Sequence, residues 1–402
     1  MPGPLDGIRV IDITTVVLGP YATQLLGDMG ADVIKIESPA GDISRNMGAG
    51  RNPGMAGSFL NVNRNKRSLA LDLKQDSAKQ ALRRLIQTAD VLVHNMRPKA
   101  IARLGFDYDA VSALKPDIIY VGTYGFGQDG PYRDRPAYDD AIQGASGLAS
   151  LFQKQGGAPR YAPSTIADKV VGLTVSQAVA AALFHRERSG VGQFIEVPMM
   201  ETVVSFNLVE HLCGGAYDPP IGGIGYQRAI SASRRPFPTS DGYVCILPYT
   251  DVQCRNFFAT AGREHVMDDP RFRTYTDRVE NIDAFYDLVA EVTPQKSTAV
   301  WLELCEAGQI PCMPVIDVDD LMDDEHLKAV GLFEKHHHPT EGETVLVRPP
   351  VKFSKTPSVI YAQAPSLGQH GPELLRELGY DERSIDEMRS TGALRGPAGE
   401  VS

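Results

Sequence analysis

The stretch that decides the fold runs Ile8-Arg9-Val10-Ile11-Asp12-Ile13, passes through Thr14-Thr15-Val16-Val17-Leu18-Gly19-Pro20 into Tyr21-Ala22-Thr23-Gln24-Leu25-Leu26-Gly27-Asp28-Met29, and closes on Asp32-Val33-Ile34-Lys35-Ile36-Glu37. β-Branched residues fill 8–13 and 32–37, which predicts two strands. Residues 21–29 carry a helical pattern, and Gly19-Pro20 is expected to break the chain between first strand and helix. This is a βαβ unit. The alternation returns as a helix over 77–87, a strand over 90–95, a helix over 108–114 and a strand over 118–123. The expected class is therefore α/β, a parallel Rossmann-like sheet covered by helices.

The longest helical stretch is 168–188, where Val171, Val175, Val179 and Leu183 recur at helical spacing and Gly190 is placed to stop it. It is expected to be a buried central helix. A strand over 193–197 and a helix over 201–212 follow, and 214–235 is rich in Gly, Pro and Arg without periodicity. A strand over 243–247 and helices over 252–261, 282–292 and 298–307 then suggest a smaller second domain. Strands are expected again over 344–347 and 351–354, with helices over 372–378 and 384–390. The expected organisation is a large domain beginning at 1–213, a linker at 214–238, a small domain at 239–330, and a return segment at 331–402 completing the large domain.

With 402 residues, 43% hydrophobic and 22% charged, the chain has ordinary soluble globular usage, which argues against disordered and membrane classes. Forty Lys and Arg against fifty Asp and Glu leave a net charge of −10, so nucleic acid and anionic membrane are poor partners. An anionic ligand would need a local basic pocket. Five cysteines, odd in number and without a C-x-x-C pair, together with the lack of a secretory apolar run at the start, point to a reduced, cytoplasmic protein. The most apolar stretch, 170–184, is interrupted by Thr174, Ser176 and Gln177 and falls short of the roughly 18 residues of a span, so no membrane segment is expected.

The opening unit lacks G-x-G-x-x-G, and neither a P-loop nor G-x-S-x-G occurs, which weakens nicotinamide, nucleotide-triphosphate and α/β-hydrolase readings. His336-His337-His338 precedes Pro339 in what reads as a solvated loop, without the spacing of a helical metal pair, so no metal is expected. Asp168 opens the long helix. Its position reads first as an N-cap or first-turn acid matched to the helix dipole, and the alternative is a carboxylate that the same dipole keeps ionised for nucleophilic attack. Arg64-Asn65-Lys66-Arg67 and Arg97, Lys99 and Arg103 read as a solvated basic face or as a phosphate pocket at the sheet edge.

Set beside these positions, the whole chain resembles the class III CoA-transferases, the group that includes formyl-CoA transferase and carnitine CoA-transferase. The matching text includes Pro4-Leu5-Asp6-Gly7-Ile8-Arg9-Val10, Gly30-Ala31-Asp32-Val33-Ile34-Lys35-Ile36-Glu37, Asn65-Lys66-Arg67-Ser68 and Asn95-Met96-Arg97-Pro98. It continues with Gly125-Phe126-Gly127-Gln128-Asp129-Gly130-Pro131-Tyr132, Ile310-Pro311-Cys312 and Pro365-Ser366-Leu367-Gly368-Gln369-His370. The resemblance implies a large Rossmann-like domain, a smaller inserted α+β domain, and two subunits interlocked like links of a chain. It implies Asp168 as the nucleophile and Val16, Leu71, Lys74, Asn95, Met96, Arg103 and Leu104 as the lining of a CoA site, with Arg103 on a phosphate. Coenzyme A would enter as a thioester substrate, with no bound cofactor and no metal. The implied chemistry passes through aspartyl anhydrides and an aspartyl-CoA thioester.

Val17 stands where formyl-CoA transferase has a glutamine, and Gly222, Gly223 and Gly225 lie upstream of that enzyme's glycine loop, which argues against formate and oxalate. Tyr226-Gln227-Arg228 and Arg234-Arg235-Pro236-Phe237 resemble transferases for dicarboxylic acids such as succinate. Val17, Tyr138, Arg228 and Arg234 are accordingly candidate substrate contacts; the arginines would pair with a distal carboxylate or form a basic hinge. Two rivals remain. In the related α-methylacyl-CoA racemases a histidine base falls at Tyr138, and a tyrosine with an ordinary pKa of about 10 is a poor base at neutral pH. A non-catalytic CoA-binding protein is the other, against which Asp168 and the basic clusters argue together.

Overall fold

In the computed structural model, which describes residues 2–396, six parallel strands carry the alternation: β1 (Arg9–Ile13), β2 (Asp32–Glu37), β3 (Lys66–Leu71), β4 (Val91–His94), β5 (Ile119–Tyr124) and β6 (Gln193–Pro198). Their order is β3-β2-β1-β4-β5-β6, with Leu394–Arg395 antiparallel on β3. The order reverses between β1 and β4, which leaves a crevice at their carboxyl ends. The period of two sorts side chains to two faces. Val10, Val33, Val91, Val93, Ile119 and Val121 join one core, covered by the Leu18–Asp28 and Ile166–Ser189 helices. Ile11, Ile13, Ile34, Leu69, Leu92 and Tyr120 join the other, under the Asp76–Gln87, Gly371–Glu377 and Glu382–Ser390 helices. Burial on both faces is why β4 and β5, in the middle of the sheet, read as nearly continuous apolar runs.

By its internal contacts the chain divides into two units, one of Met1–Ala145, Ser164–Val203 and Lys328–Ser402, the other of Ser146–Pro163 and Val204–Leu327. The second unit has a three-stranded antiparallel sheet, Phe237–Pro238, Tyr243–Ile246 and Cys312–Pro314. Its core is aromatic: Trp301 stacks on Phe257 at 5.5 Å, and its indole N–H donates to the Thr293 carbonyl at 2.7 Å.

Several expectations are corrected. Gly19-Pro20 does not break the chain but lies in the first turn of the Leu18–Asp28 helix, where a missing N–H costs nothing. Residues 351–354 form no strand: Pro349-Pro350 precede them without N–H donors, and Val351 and Phe353 stay exposed. The histidine triplet is not a loop. It ends the strand Phe333–His338, paired with Gly342–Val347, so neighbouring rings face opposite sides: His337 meets Glu343 in solvent, while His338 is buried and bonds the Ala364 carbonyl at 2.8 Å. Among the described residues no cluster of His, Cys, Asp and Glu could hold a metal.

The Arg64–Arg67 cluster is neither a solvated face nor a phosphate pocket. β3 runs through it, and its charges are spent internally: Lys66 on Asp12 at 3.0 Å, Arg64 on Asp28 at 2.7 Å and Arg67 on Asp32 at 2.7 Å. The long helix exceeds its expected bounds, running to Ser189 before Gly190 stops it with a φ of 72°. At that length it is apolar enough to cross a membrane; half of its apolar window is buried, while Leu173 and Phe184 are exposed.

Candidate active site

The site begins with a carboxylate that cannot leave the sheet. Asp12, fully buried in β1, accepts from Lys66, from the Thr23 hydroxyl at 2.7 Å and from the Thr14 backbone N–H at 2.9 Å. Burial pushes its carboxyl up, but Lys66 and Lys35 more than reverse this and hold it well below the usual carboxylate range. Lys35, from β2, donates to the Thr14 carbonyl and to Asp42, both at 2.9 Å. The loop leaving β1 is then tied twice more. Asn95, just past β4, accepts the Thr15 N–H at 3.1 Å and donates to the Thr15 carbonyl at 2.9 Å, while Asp42 accepts the Val16 N–H at 3.1 Å. Val16 is thereby held at a φ of 74°, a left-handed conformation rare for a β-branched residue and sustained by these bonds.

A second loop, 125–138, descends from β5. Its backbone is hooked by two carboxylates: Glu201 accepts the Gly127 N–H and Glu196 the Gln128 N–H, each at 2.8 Å. Gly125, Gly127 and Gly130 thus have the glycine spacing of a dinucleotide fingerprint, but no helix follows them directly. The loop carries Arg133, Arg135 and Tyr138 to the rim, with the Arg135 guanidinium 4.0 Å from the centre of the Tyr132 ring.

Asp168 lies in the first turn of the Ile166–Ser189 helix, 8% exposed. Its backbone N–H donates to the carboxylate of Asp139 at 3.0 Å, and Asp139 is held in turn by the Gln143 side chain. The helix terminus was expected to keep Asp168 ionised. Burial instead lifts its carboxyl to about 7, and the Asp139 charge adds to the lift. A helix end contributes a partial charge, and in a dry wall beside a second carboxylate that is the smaller effect. Activity that needs the Asp168 anion should therefore climb with pH through about 7. Asp139→Asn should shift that limb of the kcat/KM profile to lower pH, by up to about one unit. An unmoved limb would show that Asp139 does not act on the group being titrated.

These elements enclose a cavity of about 270 Å³ at the carboxyl ends of β1, β4 and β5. Asp168 forms part of its wall, Val16 and Asn95 another part, and Arg97, Arg133, Arg135 and Tyr138 line it as well. Five of the residues singled out in the sequence thus come together: Val16, Asn95, Arg97, Tyr138 and Asp168. The others do not line this cavity. Leu71 is buried in the sheet core, Met96 and Leu104 pack against that core, and Lys74 is exposed after β3. Val17 takes the N-cap position before Leu18, and the Arg103 guanidinium turns back to the Lys99 carbonyl at 3.1 Å. Arg228 and Arg234 belong to the second unit. Asp139, Arg133 and Arg135 were not singled out; three arginines in a chain of net charge −10 were the available signal for the last two.

The model of CoA-transferase family III matches residues 5–371. The chain is 34% identical to a succinate–glutarate CoA-transferase of Agrobacterium fabrum, over 95% of this chain and 97% of that one. It is 32% identical to a formyl-CoA:oxalate CoA-transferase of Streptomyces avermitilis, over 98% of this chain and 100% of that one. The crystal structure of a CAIB/BAIF family protein from Brucella suis superposes with a TM-score of 0.79 at 31% identity, covering 94% of this chain and 100% of that one.

Proposed function

Because the chain belongs to CoA-transferase family III, and so is an enzyme that transfers CoA, we propose that it moves CoA from an acyl-CoA donor to a carboxylic acid with Asp168 as the nucleophile. The observation that carries this reading is a buried carboxylate in the wall of an arginine-lined cavity at the carboxyl ends of β1, β4 and β5. The Asp168 carboxylate attacks the donor thioester carbonyl, the C–S bond breaks, and CoA thiolate leaves a mixed anhydride. The thiolate attacks the aspartyl carbonyl, releasing the donor acid and leaving an aspartyl-CoA thioester. The acceptor carboxylate attacks that thioester and expels CoA thiolate. Attack of the thiolate on the acceptor acyl carbonyl of the second anhydride then yields the new acyl-CoA and restores Asp168. Each bond broken is matched by one formed, so neither water nor a redox partner is consumed.

Arg97, Arg133 and Arg135 supply the donors for an anionic ligand. Leu71 ends β3 and Lys74 follows it, and Asn95, Met96, Arg103 and Leu104 follow β4, so a CoA chain lying across the carboxyl edge of the sheet would pass all of them. For the acids we favour dicarboxylates, with Val17, Tyr138, Arg228 and Arg234 as substrate contacts, a choice supported by the succinate–glutarate relative. Mass spectrometry after mixing the protein with succinyl-CoA and glutarate tests this. Glutaryl-CoA formed without net release of CoA is the expected result. Free CoA accumulating alone, or solvent deuterium entering a 2-methylacyl-CoA, would overturn it in favour of hydrolysis or racemisation.

The interlocked homodimer is supported by apolar side chains left exposed within each unit, Leu173, Phe184, Val351 and Tyr361 in the first and Phe206, Val209 and Ile221 in the second. A monomer mass by light scattering would remove it. The cytoplasm is favoured by five free cysteines, and cell fractionation checks it.

A further inference from the structure

Two of the five free cysteines stand against each other within the second unit. Cys305 lies on the buried face of the Thr298–Ala307 helix, four residues after Trp301, and Cys312 opens the strand Cys312–Pro314. The chain between them doubles back in a pinned turn. The Ile310 N–H donates to the Cys305 carbonyl at 2.8 Å, and Gln309 takes a φ of 54°. The Asn256 and Gln253 side chains hold the Gly308 and Gln309 carbonyls at 3.1 and 3.0 Å, and Cys312 is fixed in register with Ile246. The two thiols meet in a hydrogen bond. Cys305 is buried, whereas Cys312 is half-buried and lines a cavity of about 470 Å³.

Two thiols in contact ionise as a pair. The S–H of Cys312 holds the Cys305 thiol below its ordinary value in spite of burial, and the same bond, with burial added, holds Cys312 above it. Cys254 is the contrast. It belongs to the same core and bonds the Pro248 carbonyl at 3.3 Å, and burial pushes its thiol up to about 11. A stabilised thiolate with a proton donor at its side, next to a cavity, is what oxidation of sulfur requires.

We propose that Cys305 and Cys312 are a modification site, oxidised reversibly by a hydroperoxide to an intramolecular disulfide. The Cys305 thiolate attacks the terminal peroxide oxygen, the O–O bond breaks, and the Cys312 proton passes to the departing oxygen. The Cys312 thiolate so formed attacks the sulfenic sulfur of Cys305. The S–O bond breaks, and hydroxide leaves as water with the proton that Cys305 first released. Two electrons pass from the sulfurs to the peroxide.

Hydrogen peroxide added to the full chain, followed by unfolding, alkylation with iodoacetamide and tryptic digestion, reads both sulfurs in one peptide, since Lys296 and Lys328 bound residues 297–328. That peptide should appear unalkylated and lighter by two hydrogen atoms, and dithiothreitol should restore both thiols. The bond should form at least about tenfold faster than Cys254 is lost. Cys312→Ser, a change at a half-buried position, should abolish the loss of hydrogen and slow oxidation of Cys305 about tenfold. The site is wrong if both cysteines remain alkylatable after peroxide, if the exposed Cys213 or Cys245 is oxidised first, or if Cys312 links to Cys245 instead. Oxygen gained at Cys312 alone, and not removed by dithiothreitol, would overturn it too.

Discussion

Asp168→Asn should abolish CoA transfer, lowering kcat by roughly ten-thousand-fold or more, while affinity for CoA stays within a few-fold of the original. The amide keeps the size of the side chain and leaves the bond from the Asp168 N–H to Asp139 in place, so the cavity wall is preserved. What it cannot do is take an acyl group and return as a carboxylate leaving group. The same variant should be more stable at pH 8 than the parent and little different at pH 4. The carboxyl is raised from an ordinary 3.8 to about 7, so its ionisation opposes folding, with no penalty below the lower value and the full penalty above the upper one. Turnover measured with succinyl-CoA, and denaturant unfolding at both pH values, check the two halves separately. Residual activity within tenfold of the parent would remove Asp168 as the nucleophile; an equal gain in stability at both pH values would remove the buried charge.

Asp12→Asn should cost about 3–5 kcal/mol of stability, because it removes one partner of a buried ion pair and leaves Lys66 without a counter-charge. Lys35 loses part of its compensation as well, although Asp42 remains. The damage reaches the site through Thr14, whose N–H and hydroxyl both bind Asp12, so the Val16 turn should loosen and CoA affinity should fall with stability. Replacing both partners, Asp12→Leu with Lys66→Met, should be less harmful than either change alone, since no charge is then stranded. Urea unfolding of the three variants measures this. A loss below about 1 kcal/mol for Asp12→Asn would mean that the pair is not what anchors the sheet end.

Where the chain follows local rules, the sequence was readable to the residue. Asp32–Glu37 and Ile282–Val292 fall where alternation and helical spacing place them. β3 escaped because Lys66 and Arg67 look like surface residues until their partners are known, and Asp12 and Asp32 lie 54 and 35 positions away. The position of Asp168 in a first turn was legible, but its ionisation was not, since it depends first on burial in the folded wall and then on a carboxylate 29 residues earlier in the chain. The histidine triplet failed for the opposite reason: its polarity suggested solvent, while pairing with Gly342–Val347 turns one ring inward.

The Ile166–Ser189 helix carries a consequence for how the chain is made. A segment of that length and apolarity, emerging from a ribosome, offers what membrane-insertion machinery and chaperones select. Five of the six parallel strands precede it in the chain, so the sheet surface that receives Val171, Val175 and Val179 has already been synthesised when they appear. The order of synthesis therefore acts as a safeguard against mistargeting, and a lesion that delays the early strands hands this helix to the cell's quality control before it can dock.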